Sequence, residues 1–156
     1  MLYTVDEEKV AEYNKMEAAF LNVEIIEAGS VHSLSQEYVA MMQSFDEDIR
    51  ILMTAKAYEN IVASRFNTLS TSVCANGNYT LEVTDFMLDE NSYDEKDNQA
   101  GYYYEAKVRF IASDGKDEQI DTANGYIGLV KENGQWKVDV FTTKPSKFYQ
   151  EVLSNR

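Results

Sequence analysis

The spacing of apolar residues changes about halfway along this chain, and that change limits the folds available to it. Up to residue 66 the apolar residues recur every three or four positions, which is the period of an amphipathic helix. After the stretch "STSVCANGN" they alternate with polar residues, as in a strand with one buried face. This order predicts an α+β fold in which N-terminal helices pack on a strongly bent, four-stranded antiparallel sheet, with a short C-terminal helix.

The first two predicted helices are defined by their stripes and end signals. Helix 1 begins at a capping box formed by Thr4 and Glu7 and stops at Gly29, and helix 2 follows Ser33. The first stripe consists of Val10, Tyr13, Met16, Phe20, Val23 and Ile26, and the second of Leu34, Tyr38, Met41 and Phe45.

A third helix is predicted from a second capping box, Ser44 with Glu47, through to Phe66. Whether it is separate from helix 2 or continues it as one bent rod stays open. The closing helix is predicted to start near Pro145, because proline is favoured in the first turn of a helix. Its apolar residues are Phe148, Tyr149, Val152 and Leu153.

Two irregularities are predicted in the strands. Leu81 and Val83 have the opposite parity to Phe86 and Leu88, so a bulge near 84–85 is needed to place all four on the core side. A second change of parity, with a bend, is predicted at Gly125. Between them the second strand alternates cleanly, with a core side made of Tyr102, Tyr104, Ala106, Val108 and Phe110.

The last two strands form a hairpin, because Asn133-Gly134 is the preferred pair for a type I′ turn. A two-residue turn predicts Gly128 opposite Asp139, which leaves a shallow notch on the sheet. The other predicted pairs are Lys131/Trp136, Leu129/Val138 and Ile127/Val140 on the core side, and Val130/Lys137 and Tyr126/Phe141 on the other.

Composition excludes several functions. The chain has 156 residues, a length that suits one domain, and 27 acidic against 14 basic residues, for a net charge of −13. This charge repels a phosphate backbone, so nucleic-acid binding is not expected. The single cysteine, Cys74, is interpreted as a packed thiol, and the single histidine, His32, is placed in a loop between helices. These counts exclude an internal disulfide and a thiolate-rich or histidine-based zinc site, and they disfavour a Ser-His-Asp triad.

No apolar run reaches the ~18 residues needed to span a membrane, and the first residues lack the pattern of a secretory leader. Localisation therefore stays open, with an extracytoplasmic position in the bacterial envelope favoured if a leader or anchor was removed. One domain is predicted over residues 1–156.

The long first helix, the bulged strands and the ending "GYIGLVKENGQWKVDVF" together resemble the NTF2-like superfamily. Its members cover the concave side of a bent antiparallel sheet with helices. The order of elements is similar to that of VirB8-type conjugation proteins and of NTF2-like domains in Gram-positive lipoproteins. The resemblance implies a cone that binds a ligand or partner.

Five residues are predicted to bind a ligand in that cone. Tyrosine offers apolar area and a hydroxyl, which makes it a good lining residue, and Asp139 is the acid nearest the predicted notch. The five are Tyr102, Tyr104, Phe110, Trp136 and Asp139. No catalytic residue, metal ligand or cofactor is predicted. The acidic loop between the first two strands has oxygen donors that could hold calcium, and these are Asp89, Glu90, Asp94, Glu95 and Asp97. A solvated hairpin loop is favoured over a calcium site because the glycine of a calcium loop is missing.

Three functions are compatible with these features. The leading hypothesis is a non-enzymatic domain of a bacterial envelope or mobile-element system that binds a protein partner or a small apolar ligand, with a homodimer through the sheet as a further option. The alternatives are an isomerase, dehydratase or hydrolase of the same fold, and an acidic inhibitor that imitates nucleic acid.

Overall fold

The α+β prediction is confirmed. A computed structural model of the protein describes residues 2–21, 36–94, 98–144 and 146–154. Its helices precede a four-stranded antiparallel sheet of order β1-β2-β3-β4, and a short helix follows. The helices are α1 (Glu7–Leu21), α2 (Gln36–Phe45), α3 (Glu47–Arg50), α4 (Ala55–Ala63), α5 (Leu69–Gly77) and α6 (Lys147–Ser154); the strands are β1 (Tyr79–Asp94), β2 (Gln99–Ala112), β3 (Glu118–Glu132) and β4 (Gln135–Lys144).

The first helix starts differently from the prediction. Asp6 caps it, because its carboxylate accepts the backbone N–H of Lys9 at 2.8 Å. The Thr4–Glu7 capping box is therefore wrong. Val5 is instead held as a strand residue, exchanging two backbone hydrogen bonds of 2.8 Å with Leu81 of β1. The predicted residues Val23, Ile26, Gly29, His32, Ser33 and Leu34 lie outside the described residues.

The predicted third helix is broken into α3 and α4, and the capping box at Ser44 does not form, since α3 begins after Asp46. The break occurs because residues 52–54 pair with β4. The Thr54 N–H donates to the Val138 carbonyl and the Val138 N–H donates to the Leu52 carbonyl, both at 2.9 Å. The Thr54 hydroxyl then caps α4 by accepting the Ala57 N–H at 3.2 Å.

Helix α5 was not predicted. Its residues are small and largely polar, and the buried ones are Ser70, Thr71, Ser72, Val73 and Cys74. A helix of this kind has no stripe of large apolar residues, so the pattern that reveals an amphipathic helix is missing. Cys74 is fully buried, as interpreted, and burial raises the pKa of its thiol to about 12.

The β1–β2 pairing confirms the first predicted bulge, with a register shift between Val83 and Asp85. The Asn133-Gly134 turn is also confirmed, with φ of 50° and 82° at its two residues. The parity change at Gly125 is wrong, because β2 and β3 pair in unbroken register through that residue.

The second irregularity lies in β4 instead. The register shifts so that Leu129 faces Val138 while Gly128 faces Val140, which leaves Asp139 as the extra, bulged residue. Three predicted pairs are therefore wrong, and the observed ones are Ile127/Phe141, Gly128/Val140 and Tyr126/Thr142. The bulged Asp139 carboxylate accepts the Thr54 hydroxyl at 3.0 Å, which joins the bulge to the start of α4.

The core lies on the face of the sheet that carries Ala106, Val108 and Phe110, here called the inner face. These three side chains are fully buried, together with Val73 of α5. Tyr149 of α6 closes over them, with its ring 5.4 Å from that of Phe110. This half of the inner face is well packed.

Candidate functional site

The other half of the inner face is left open and holds an apolar cavity of about 540 Å³. Ligand pockets for small molecules usually enclose ~300–1,000 Å³, so the volume is in the range of a binding site. The cavity lies between the N-terminal segment, the turn after α3 and all four strands. Its lining is Leu2, Tyr3, Thr4, Ile49, Leu52, Met53, Val83, Phe86, Tyr104, Ile127, Val138 and Phe141.

Two isolated β-bridges position opposite walls of this cavity. On one side Val5 pairs with Leu81 of the edge strand β1, and on the other Met53 pairs with Val138 of the edge strand β4. Each bridge fixes its segment at a sheet edge, and from the Val5 bridge Leu2 and Tyr3 extend across the sheet towards β4. Part of the apolar floor remains accessible, and Phe86 keeps 48% of its surface exposed.

The two tyrosine hydroxyls of the cavity lining are hydrogen-bonded to each other and to β4. The Tyr104 hydroxyl donates to the Thr142 carbonyl at 3.2 Å, so its oxygen must accept the Tyr3 hydroxyl, which lies 2.8 Å away. The Tyr3 oxygen in turn accepts the Thr143 hydroxyl at 2.7 Å. Burial raises the pKa of both tyrosines, so neither ionises at neutral pH. A ligand in this cavity meets mainly apolar surface and two tyrosine hydroxyls that already have partners.

Gly125 makes room for this arrangement. A Cβ at this position would lie 1.9 Å from the Thr142 carbonyl oxygen and 2.9 Å from the Tyr104 ring. Tyr104 lies between two further rings, stacking on Phe86 at 6.0 Å and on Phe141 at 5.9 Å between centroids. The absence of a side chain at 125 therefore allows Tyr104 to approach β4 and form the floor of the cavity.

The structure brings only one of the five predicted ligand-binding residues into the described lining, namely Tyr104. Phe110 is fully buried under α6. Tyr102 is half-buried opposite Ile127. Trp136 is 41% exposed near the hairpin turn, under the Lys131 ammonium at 5.9 Å. Asp139 forms the β4 bulge.

Sequence reasoning missed most of the lining. The sequence pattern predicts Phe141 on the opposite face, because a bulge at 139 leaves no mark in the alternation of apolar and polar residues. Leu2 and Tyr3 precede the first helix and belong to no periodic segment. The signal available for them was chemical only: two large apolar side chains in a short segment outside any helix need a surface to cover.

The lining residues that the structure describes include no carboxylate, imidazole, amine or thiol, so their titratable groups are the phenols of Tyr3 and Tyr104. A buried carboxyl with a raised pKa does exist, but it is Asp46, between α2 and α3 and outside the lining. Burial raises its pKa, while the Asn67 amide at 2.7 Å and the Tyr58 hydroxyl at 3.2 Å donate to one of its oxygens.

The acids weighed as calcium donors are not arranged around one point. Asp89 and Glu90 are neighbours in β1 and face Tyr103 and Tyr102 of β2 respectively, so their side chains leave opposite faces of the sheet. Asp94 is the last residue of β1, and Glu95 and Asp97 lie outside the described residues.

On the outer face of the sheet, acids and bases alternate across the strands. Arg109 of β2 pairs with Glu82 of β1 and lies 3.7 Å from Glu118 of β3, and Lys107 lies 3.2 Å from Asp85. These side chains are about half exposed, so solvent screening leaves each pair little contribution to stability. The carboxylates here are interleaved with positive charge.

Comparisons with known proteins find distant similarity of structure. No family model matches the sequence, and no curated protein is significantly similar to it. The intermembrane space region of chloroplast protein ARC6 superposes with a TM-score of 0.35 at 9% identity, over 67% of this chain and 96% of that one. A periplasmic fragment of TraM superposes with a TM-score of 0.38 at 11% identity, over 90% of this chain and 98% of that one. None of the helices in the described ranges is long and apolar enough to cross a membrane.

Proposed function

We propose that this protein is a non-enzymatic binding domain that takes an apolar group into the cavity beside Tyr104. The observation that carries the proposal is an open cavity of about 540 Å³ whose lining is nearly all apolar and whose two tyrosine hydroxyls are already hydrogen-bonded. Such a surface gains free energy by excluding water, at ~25 cal/mol per Å² of apolar area covered. It offers a ligand little directional chemistry.

An enzyme of the same fold is the alternative, and the cavity gives it little support. General acid or base catalysis needs a titratable group within hydrogen-bond reach of the substrate. Tyr3 and Tyr104 are the titratable groups of the described lining, and both have raised pKa values and engaged hydroxyls. The acidic inhibitor is also weakened, because Lys107 and Arg109 interrupt the acids of the outer face.

The membership of the NTF2-like superfamily, the single domain over residues 1–156 and a role in a bacterial envelope or mobile-element system remain proposals. They rest on the resemblance of sequence pattern described above. An extracytoplasmic position and a homodimer through the sheet belong to the same proposal.

Binding of a neutral, environment-sensitive dye such as N-phenylnaphthylamine tests the function. A neutral probe is chosen because the net charge of −13 would repel an anionic one. We expect saturable fluorescence enhancement, competed by uncharged aliphatic compounds. An absence of binding to the folded wild type would overturn the proposal.

A matched pair of tryptophan substitutions locates the dye. Leu52 lines the cavity and is 43% exposed, so Leu52→Trp fills the space without disturbing a packed core. Its neighbour Ile51 is 62% exposed and lies outside the lining, so Ile51→Trp is the control. We expect Leu52→Trp to weaken binding roughly tenfold or more and Ile51→Trp to leave it unchanged. Equal effects of the two would place the dye elsewhere.

A further inference from the structure

The edge of β1 beyond the Val5 bridge is open in the described structure. Residues 83–90 are all exposed, and four of them are large and apolar: Val83, Phe86, Met87 and Leu88, with exposed fractions of 39%, 48%, 50% and 53%. Exposed apolar edge strands are templates for pairing with another chain, and proteins normally blunt them. Here the stretch between the bulge at 84 and the next register shift after Glu90 is regular.

The backbone of this stretch presents hydrogen-bonding groups outward. Leu81 directs both its N–H and its C=O away from β2, towards Val5. In an antiparallel pair, every second residue directs its backbone N–H and C=O away from the partner strand. Leu81, Phe86 and Leu88 pair with Phe110, Ala106 and Tyr104, which are alternate residues of β2. Phe86 and Leu88 therefore point their backbone groups in the same direction as Leu81. Their backbone groups therefore face the open edge, where a further strand would pair.

The two faces of this edge differ in chemistry. On the inner face are Phe86 and Leu88, followed by Glu90 where the open stretch ends, and Phe86 is itself part of the cavity lining. On the outer face Met87 lies between two exposed acids, Asp85, which pairs with Lys107 at 3.2 Å, and Asp89 across from Tyr103. A strand added here would therefore meet a mainly apolar inner side and an outer side on which two acids flank Met87.

We propose that an extended segment of a partner protein, with alternating apolar and basic residues, adds to β1 along residues 85–90 as a fifth strand. Its apolar side chains lie beside Phe86 and Leu88 and reach the cavity, and its basic side chains lie beside Asp85 and Asp89. The inference deepens the binding function proposed above by naming the class of ligand. It reuses a known mode, in which main-chain hydrogen bonds give affinity and alternate side chains give specificity.

Charge decides against a second copy of this chain as the occupant. Pairing two β1 edges would bring Asp85 and Asp89 of one copy close to those of the other, and directly opposed like charges destabilise a sheet. Each copy also carries a net charge of −13. A basic strand gains from the same field that a second copy would have to overcome.

The test uses a blocked, fluorescein-labelled peptide of about eight residues in which lysine alternates with valine or leucine, about the length of the open edge. We expect the fluorescence anisotropy of the peptide to rise and saturate as wild-type protein is added, and we expect added salt to weaken this binding. Two control peptides are needed: one with the same residues in non-alternating order, and one N-methylated at the amides that face β1. Each should bind roughly tenfold or more weakly, the first because its faces are mixed and the second because it cannot donate to the edge.

Variants of the protein complete the test. Leu88→Pro removes an outward N–H without taking a donor from the β1–β2 ladder, so it should abolish peptide binding, whereas Leu88→Ala should weaken it only a few-fold. Leu88 is outside the cavity lining, so dye binding should survive in both.

The outcomes separate the two proposals. Dye binding without peptide binding overturns the strand-addition proposal and leaves the cavity function standing. Peptide binding without dye binding overturns the cavity function and leaves strand addition standing. Equal binding of the alternating and non-alternating peptides would show simple charge attraction and overturn strand addition. So would a wild-type dimer in sedimentation that Leu88→Pro dissociates, because the edge would then belong to a second copy.

Discussion

The two ends of the inner face belong to the same strands and show the same alternation, yet one end is buried and the other is half exposed. At one end Val108 and Phe110 are fully buried beneath α5 and α6. At the other end Phe86 and Leu88 face the same way and remain half exposed. Alternation determines which way a side chain points, and the layer above determines whether it is covered. Where an apolar side chain points inward and no layer covers it, apolar surface remains open to the ligand that we propose.

The largest expected effect separates the two ends directly. Phe110→Ala should lower the free energy of unfolding by about 3–5 kcal/mol, because it leaves a cavity among Tyr79, Phe148 and Tyr149. Phe86→Ala should lower it by about 1 kcal/mol or less, since the ring is already half exposed. Urea denaturation of both variants gives the comparison. Similar losses would mean that the open end is packed as tightly as the closed one.

Gly125 tests the close approach that shapes the open end. Gly125→Ala should destabilise the protein by about 1–3 kcal/mol, because the new methyl group meets the Thr142 carbonyl. Gly128→Ala is the matched control in the same strand, where the nearest atom is the Val140 Cβ at 3.1 Å. The control should lose clearly less stability, and dye binding should weaken in Gly125→Ala alone. Equal effects would show that Tyr104 does not depend on this contact.

The hydroxyl chain at the cavity floor should behave as one unit. Tyr3→Phe and Tyr104→Phe should each cost about 1 kcal/mol, because each removes a hydrogen bond and leaves a partner unsatisfied. Once the first hydroxyl is gone the second has less to lose, so the double variant should cost less than the sum by about 0.5 kcal/mol or more. A double-mutant cycle in urea measures this, and strict additivity would contradict it.

The smallest expected effect is a dependence of stability on pH, which we attribute to Asp46, a residue away from the open end. Burial raises the folded-state pKa of Asp46 above its unfolded value of ~3.9, so the stabilising contribution of this group is present below that value and is lost as pH rises through the folded pKa. Asp46→Asn has no such loss. Its stability relative to wild type should therefore improve from pH 4 towards neutrality, while dye binding stays constant. A pH-independent difference would show that the carboxyl is not perturbed.

The sequence predicted the fold class and the facing of β2 because both follow from periodicity. Leu81, Val83, Phe86 and Leu88 all point inward, as the predicted bulge requires. What failed has a local physical cause in each case. The bulged Asp139 is hydrogen-bonded to the hydroxyl of Thr54, which lies far away in the chain. Helix α5 buries small residues that form no helical stripe of large apolar side chains.

The cavity was harder to predict than the fold. Its walls come from segments that pair with sheet edges, Val5 with Leu81 and Met53 with Val138, and no periodic pattern reports such single bridges. Tyr104 was found because it belongs to a clean strand pattern. Tyr3, its hydrogen-bond partner, lies outside every pattern and was missed.

The hydrogen bond between Tyr3 and Thr143 joins residues that are 140 positions apart. During translation residues 2–5 leave the ribosome long before β4, so the site on which Tyr3 docks is complete only when β4 has emerged. The cavity floor is therefore finished last, however early its first residues are made, and the newly made chain carries Leu2 and Tyr3 uncovered until then. Contacts this distant in sequence slow folding, so the step that completes the cavity should come late in refolding as well.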